Sequence, residues 1–259
     1  MLLYRYFLIN LKSQLQYRAA FLAVLAVQMI VPFTYIASPY FLIERFSNLG
    51  GWNLAEVMLC FGIINGAFAL SELLARGFDM FSRQVVSGSF DRLLVRPRAI
   101  ELQVLGSTFE FSRIGKMVLP FIMLGWAVWI QPQLWQPLKL CTIALMLFSG
   151  VAIFSGIYVL QATLCFWTIQ GLEVANIFTN GGQMTAQYPL NIYKKWLRLF
   201  FTFIIPFGCV NYLPLGYLLA KPRFESPLYA LTPLAGFLFL VPCVMIWRFG
   251  VGKYLSTGS

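Results

Sequence analysis

Apolar positions along this chain gather into six long stretches, nearly free of charge, with Lys, Arg, Asp and Glu concentrated between them. Stretches of ~20 apolar residues have the length an α-helix needs to cross a bilayer. The first runs from Ala19 to Ser38, and Pro32 and Pro39 are expected to kink or end it. The second, Leu54 to Ala75, is interrupted only by Glu56 and Glu72 near its two ends. The third lies between Lys116 and Lys139, the fourth within Leu140 to Leu172, the fifth from Leu199 to Ala220 and the sixth from Ser226 to Trp247. Val174 to Tyr193 is also uncharged, but Asn176, Asn180, Gln183 and Gln187 make it too polar to face lipid, so it reads as a surface or re-entrant segment. Ahead of the first span, Leu3, Phe7, Leu8, Leu11 and Leu15 recur at helical spacing, with Arg5, Asn10, Lys12 and Gln14 on other faces. That pattern predicts an interfacial helix over residues 1–18, a plain extension of the first span being the alternative. The fold class expected is all-α: a polytopic membrane protein of about six transmembrane helices with an N-terminal interfacial amphipathic helix. The transmembrane domain covers 19–259, with a loop at 76–116 and a polar segment at 161–198.

Composition agrees, with 59% hydrophobic residues and only 11% charged, against roughly a quarter charged in a soluble domain. The formal charge of +10 changes meaning once it is mapped onto the spans. Fifteen Lys and Arg fall on one side, including seven from Arg76 to Lys116 and the trio Lys194, Lys195 and Arg198, and four on the other. The positive-inside rule then places both termini in the cytoplasm, and the basic charge needs no nucleic acid to explain it. The first span is also longer than the 7–15-residue core of a cleavable signal peptide, and 18 residues precede it.

Candidate chemistry is sparse. The chain has no histidine, and its five cysteines are dispersed within apolar stretches, where they read as packing residues. No metal site is expected. No phosphate-binding Gly-x-x-x-x-Gly-Lys-Ser/Thr loop occurs. Glu72 is the acid deepest in a span, and Arg76 one turn later makes a possible intramembrane polar pair. Asn65 with Gly62 and Gly66 forms a small polar stripe suited to close helix packing. In the loop after the second span, Gly88 and Ser89 open a short helix that Pro97 stops; Phe90, Leu93 and Leu94 share an apolar face, flanked by Asp91, Arg92 and Arg96. An apolar ridge with a basic rim suits docking to another protein, and a helix lying on anionic headgroups is its rival. An intramembrane enzyme acting on lipid through Glu72, Asp79 or Glu173, and a passive channel or assembly factor, are the competing functions; the first lacks a close acid pair with metal-like spacing, while the same spans would suffice for the second.

The stretches Gly88-Ser-Phe-Asp-Arg-Leu-Leu-Val-Arg-Pro97, Tyr188-Pro-Leu-Asn-Ile-Tyr193, Ile205-Pro206 and Val210-Asn-Tyr-Leu-Pro214 resemble bacterial type 2 ABC-transporter permeases, in the branch of short six-span permeases usually paired with a separate ATPase. The resemblance implies an exporter permease in the bacterial cytoplasmic membrane that forms its translocation path as a dimer, with an identical or similar second permease subunit. Its partners would be ABC ATPase subunits, which bind ATP and Mg; this chain itself would be neither an enzyme nor a cofactor carrier. Phe90, Asp91, Arg92, Leu93, Leu94, Arg96 and Pro97 would form the ATPase contact. One departure is expected: relatives carry a sizeable outward-facing segment before the last span, whereas here only Lys221 to Pro227 lies between the fifth and sixth apolar stretches.

Overall fold

The computed structural model describes residues 2–46, 48–168 and 176–254, and among these it is helical with no strand longer than the isolated bridge between Leu49 and Trp52. Helix α1 (Leu2–Gln16) lies against the loop before the third span, where the Phe7 ring meets Phe111 edge-on at 4.8 Å and the Phe111 N–H donates to Gln14 at 3.0 Å. Helix α2 (Arg18–Phe46) runs unbroken through Pro32 and Pro39, eight residues beyond the end expected at Ser38. In lipid no water takes up the backbone groups a break would release, so a helix missing two hydrogen bonds is cheaper than its termination. The turn after it uses Gly50 and Gly51, both at positive φ (60° and 87°), where a side chain would be strained. Asn53 and Glu56 then cap α3 (Leu54–Leu74) reciprocally.

Four short helices follow: α4 (Arg76–Asp79), α5 (Phe81–Val86), α6 (Asp91–Leu94) and α7 (Ile100–Ser107). Helix α8 (Ile114–Ile130) and α9 (Pro137–Leu164) form the next pair of spans. A π-helical turn, Ile177–Gly181, runs into the short helix Gly182–Ala186; together they are α10. The chain continues through α11 (Lys195–Ile204), α12 (Gly208–Leu218) and α13 (Leu234–Lys253). Helix α3 is enclosed almost throughout by its neighbours, whereas α2 is exposed along nearly its whole length.

The fifth apolar stretch is not a span. Helices α11 and α12 meet at 87°, because Pro206 forces the preceding Ile205 into an extended conformation (φ −115°, ψ 100°). Both ends of this pair lie on the same side of the molecule. Ahead of α11, Asn191 donates to the Gly50 carbonyl at 2.7 Å; beyond α12, Lys221 reaches Glu56 at 2.7 Å and the Gly51 carbonyl at 3.0 Å. The bend itself lies deep, with Ile204 and Ile205 beside Ile157 and Leu160 of α9 and Phe239 of α13. This is a re-entrant hairpin.

The fifth crossing is made instead by the segment that appeared too polar. Phe166 packs on Trp247 and Tyr254 at the side that holds both chain ends, while Tyr188 hydrogen-bonds Ser38 at 2.8 Å towards the opposite side. The backbone passes between these levels, with α10 on the way. Its Gln183 and Gln187 amides are satisfied by Asn65 of α3, so their polarity is no obstacle. Six crossings remain among the described residues, and 188–233 stand between the fifth and sixth in place of the short Lys221 to Pro227 link expected from the sequence. The trio Lys194, Lys195 and Arg198 changes side, which reduces the charge asymmetry to twelve against seven without reversing it.

Candidate functional site

Three groups of polar residues carry the chemistry of the fold. The first is a seam in its middle. Asn65 of α3 donates to the Phe61 carbonyl at 2.9 Å and to Gln187 at 3.2 Å, and accepts from Gln183 at 2.7 Å. Asn211 of α12 donates to the Ala186 carbonyl at 2.9 Å. Beside this seam a cavity of about 50 Å³ is lined by Val31, Pro32 and Tyr35 of α2, Asn65 and Phe68 of α3, Lys116 and Pro120 of α8, and Asn180 and Gln183 of α10. Asn180 is exposed at this depth, as is Met184 one turn on.

Gly62 and Gly66, read from the sequence as a close-packing stripe, pack within the chain. A Cβ on Gly62 would lie 2.8 Å from the Leu124 Cβ and 2.9 Å from the Pro120 carbonyl oxygen of α8. Gly62→Ala is therefore expected to destabilise the protein by ~1–3 kcal/mol through overpacking, measured as a lowered melting midpoint in detergent. Gly66→Ala, whose nearest neighbour is the movable Leu147 side-chain tip at 3.3 Å, should melt closer to the parent; the reverse order would contradict this packing.

The second group is an ion network at the end of α3. Glu72 meets Arg76 only at 4.0 Å, so the expected pair is the weakest of its contacts. Its closer partners are Lys116 at 2.8 Å and Arg113 at 3.1 Å. Arg76 turns to Asp79 and to Glu110 (2.8 Å), and Arg113 also reaches Glu110 at 3.1 Å. Three acids and three bases form a neutral cluster tying α3, α4 and α8 together. Burial raises the pKa of Asp79, with Arg76 pulling against it. Both described carboxylates of the lipid-enzyme reading, Glu72 and Asp79, are thus committed to basic side chains; Glu173 lies outside the described residues. Among the described residues no three His, Cys, Asp or Glu side chains are grouped to hold a metal ion.

The third group is the loop helix α6. Phe90, expected on an outward ridge, is fully buried. Its ring packs edge-on against Phe81 at 4.9 Å and Tyr254 at 5.0 Å, and lies 5.7 Å from Phe166. Leu93 is half-buried against the same core, and Gln103 of α7 donates to the Leu93 and Arg98 carbonyls at 3.2 and 3.1 Å. The outward surface consists of Arg92, Leu94, Val95, Arg96, Pro97 and Arg98, with Val95 83% exposed and Asp91 half-buried at its edge. The sequence reading missed Gln183, Gln187, Arg113, Lys116 and Glu110 as site residues. The polarity of 174–193 was the available signal for the first two, while the pairing of charges across α3 and α8 had none.

A family model described as ABC-2 family transporter protein matches residues 29–258. Neither a curated protein nor a solved structure shows significant similarity to the chain.

Proposed function

The chain belongs to the ABC-2 transporter family, and from that premise we propose that it is the permease subunit of an ATP-driven exporter, working as a pair of transmembrane subunits with a separate ATPase that binds ATP and Mg. The observation that carries this reading is the exposed, polar flank of α10. Asn180 stands at membrane depth beside a cavity bounded by α2 and α8, and polar groups at that depth are stable only against protein or water. A second permease subunit, identical or similar, facing α2 and α10 would enclose this flank and complete a path. The lipid-enzyme and passive-channel readings have no comparable support.

The membrane is the bacterial cytoplasmic membrane, with both termini cytoplasmic, the orientation that the twelve-to-seven charge asymmetry favours. Loop 76–116 then faces the ATPase. The contact is made by Arg92, Leu94, Val95, Arg96 and Pro97, with Phe90 holding the loop from behind.

Cysteine labelling tests the path. With the native cysteines replaced, Asn180→Cys in the assembled transporter should react with a membrane-impermeant thiosulfonate at least ~10-fold faster than Leu238→Cys on the apolar outer face of α13, which is 69% exposed. Equal, slow labelling at both positions would remove Asn180 from a water-filled path.

A further inference from the structure

On another flank, lined by α1, α7, α9 and α13, lies a cleft of about 870 Å³, within the ~300–1,000 Å³ range of small-molecule sites. Its walls are apolar, from Leu240 and Val244 of α13 and Val151 and Val159 of α9. The eight residue-to-residue steps from Leu240 to Arg248 span about 12 Å at 1.5 Å per residue. The cleft therefore runs from near mid-membrane to the level of the amphipathic α1. At that level its mouth carries one carboxylate and one guanidinium, Glu101 and Arg248, paired at 2.9 Å. Partial burial is the largest single influence on the Glu101 carboxylate and works against its charge, but the hydrogen bond and charge of Arg248 together with a backbone hydrogen bond outweigh it, so its pKa is lowered and the carboxylate stays ionised. Arg248 is largely exposed, 71% by side chain.

We infer that this cleft holds a glycerophospholipid of the cytoplasmic leaflet with a zwitterionic ethanolamine headgroup. Its acyl chain lies along α9 and α13, its phosphate sits on Arg248 and its ammonium on Glu101. An apolar shaft opening into hydrocarbon, ending in one positive and one negative group at headgroup depth, complements that molecule at both ends. A purely anionic lipid would satisfy Arg248 and set its charge against Glu101. The site is separate from the polar flank of α10, so the inference does not depend on the permease path.

The full chain is reconstituted in nanodiscs of equal phosphatidylethanolamine and phosphatidylglycerol, released into detergent and weighed by native mass spectrometry. Wild type should retain phosphatidylethanolamine in at least ~5-fold preference over phosphatidylglycerol. Val244→Trp, which fills the shaft, should lower retention of both lipids to background. Glu101→Gln, which keeps the side-chain shape and removes the charge that discriminates against an anionic headgroup, should abolish the preference while moving the melting midpoint little, since a solvent-accessible ion pair contributes little to stability. Equal retention of both lipids by wild type, retention by Val244→Trp at the wild-type level, or a cleft covered by a second copy of the chain and lipid-free would each overturn the assignment. Should Val244→Trp fail to fold, Glu101→Gln alone decides it, because unchanged selectivity in that variant rejects the headgroup contact.

Discussion

Phe90→Ala is expected to destabilise the protein by ~3–5 kcal/mol, the range for removing a buried aromatic side chain from a packed core. The ring is fully enclosed and touches aromatic rings from α5, from the end of α9 and from the segment after α13. Its loss opens a cavity whose walls belong to three separate elements, so little collapse can fill it. The expected readout is a large drop in melting midpoint in detergent. Loss of ATPase copurification follows as a secondary effect, since α6 is no longer held. The contrasting variant is Leu94→Asp with Val95→Asp, at 37% and 83% exposure, where surface changes cost within about 0.5 kcal/mol. It should melt like the parent and yet fail to retain the ATPase. A Phe90→Ala protein with an unchanged midpoint would show the ring to be no internal anchor, and full ATPase retention by the Leu94, Val95 variant would remove the proposed docking surface. If headgroup contact governed the loop instead, neutralising Arg92 and Arg96 would be the disruptive change.

Glu72→Gln should cost a similar ~3–5 kcal/mol, because removing one partner from a buried ionic group leaves uncompensated charge. Lys116 and Arg113 both rely on this carboxylate, whose side chain is only 7% exposed. Amide substitution preserves shape, so the change isolates charge from packing. Adding Lys116→Met to Glu72→Gln should recover part of the loss by removing one of the stranded cations, a coupling that a double-mutant cycle on melting midpoints measures directly. A single variant melting at the parental midpoint would mean that the cluster is solvated and contributes nothing.

How far the sequence sufficed differs from residue to residue, and the reasons are physical. Spans two, three, four and six were legible because a long uncharged run in this composition has one cheap solution, a helix across the bilayer. The fifth was misplaced because hydropathy measures preference for lipid, whereas a segment packed on other helices answers to them. Asn65, Gln183 and Gln187 satisfy one another, so α10 tolerates a polarity that reads as non-spanning. The hairpin α11–α12 is apolar enough to cross, but the decisive fact is the turn at Pro206, whose bend angle no periodicity encodes. In the loop helix, spacing gave the apolar grouping of Phe90, Leu93 and Leu94 without saying which of them faces the protein. The answer depends on Tyr254 and Phe166, far along the chain. Glu72 and Arg76 were visible as neighbours, yet the stronger partners of Glu72 come from the next span.

The polar seam also sets a timetable for biogenesis. Lys116 is separated from Glu72 by 44 positions, which a ribosome adding ~5–20 residues per second covers in roughly 2–9 s. Gln183 follows Asn65 by 118 positions, or roughly 6–24 s at the same rate. Through that longer interval Asn65 has only the Phe61 carbonyl of its own helix to bond, and its carboxamide oxygen waits in the bilayer for a donor not yet made. The early helices can therefore gather through the charge cluster at the end of α3, while the centre of the bundle closes late, when α10 arrives.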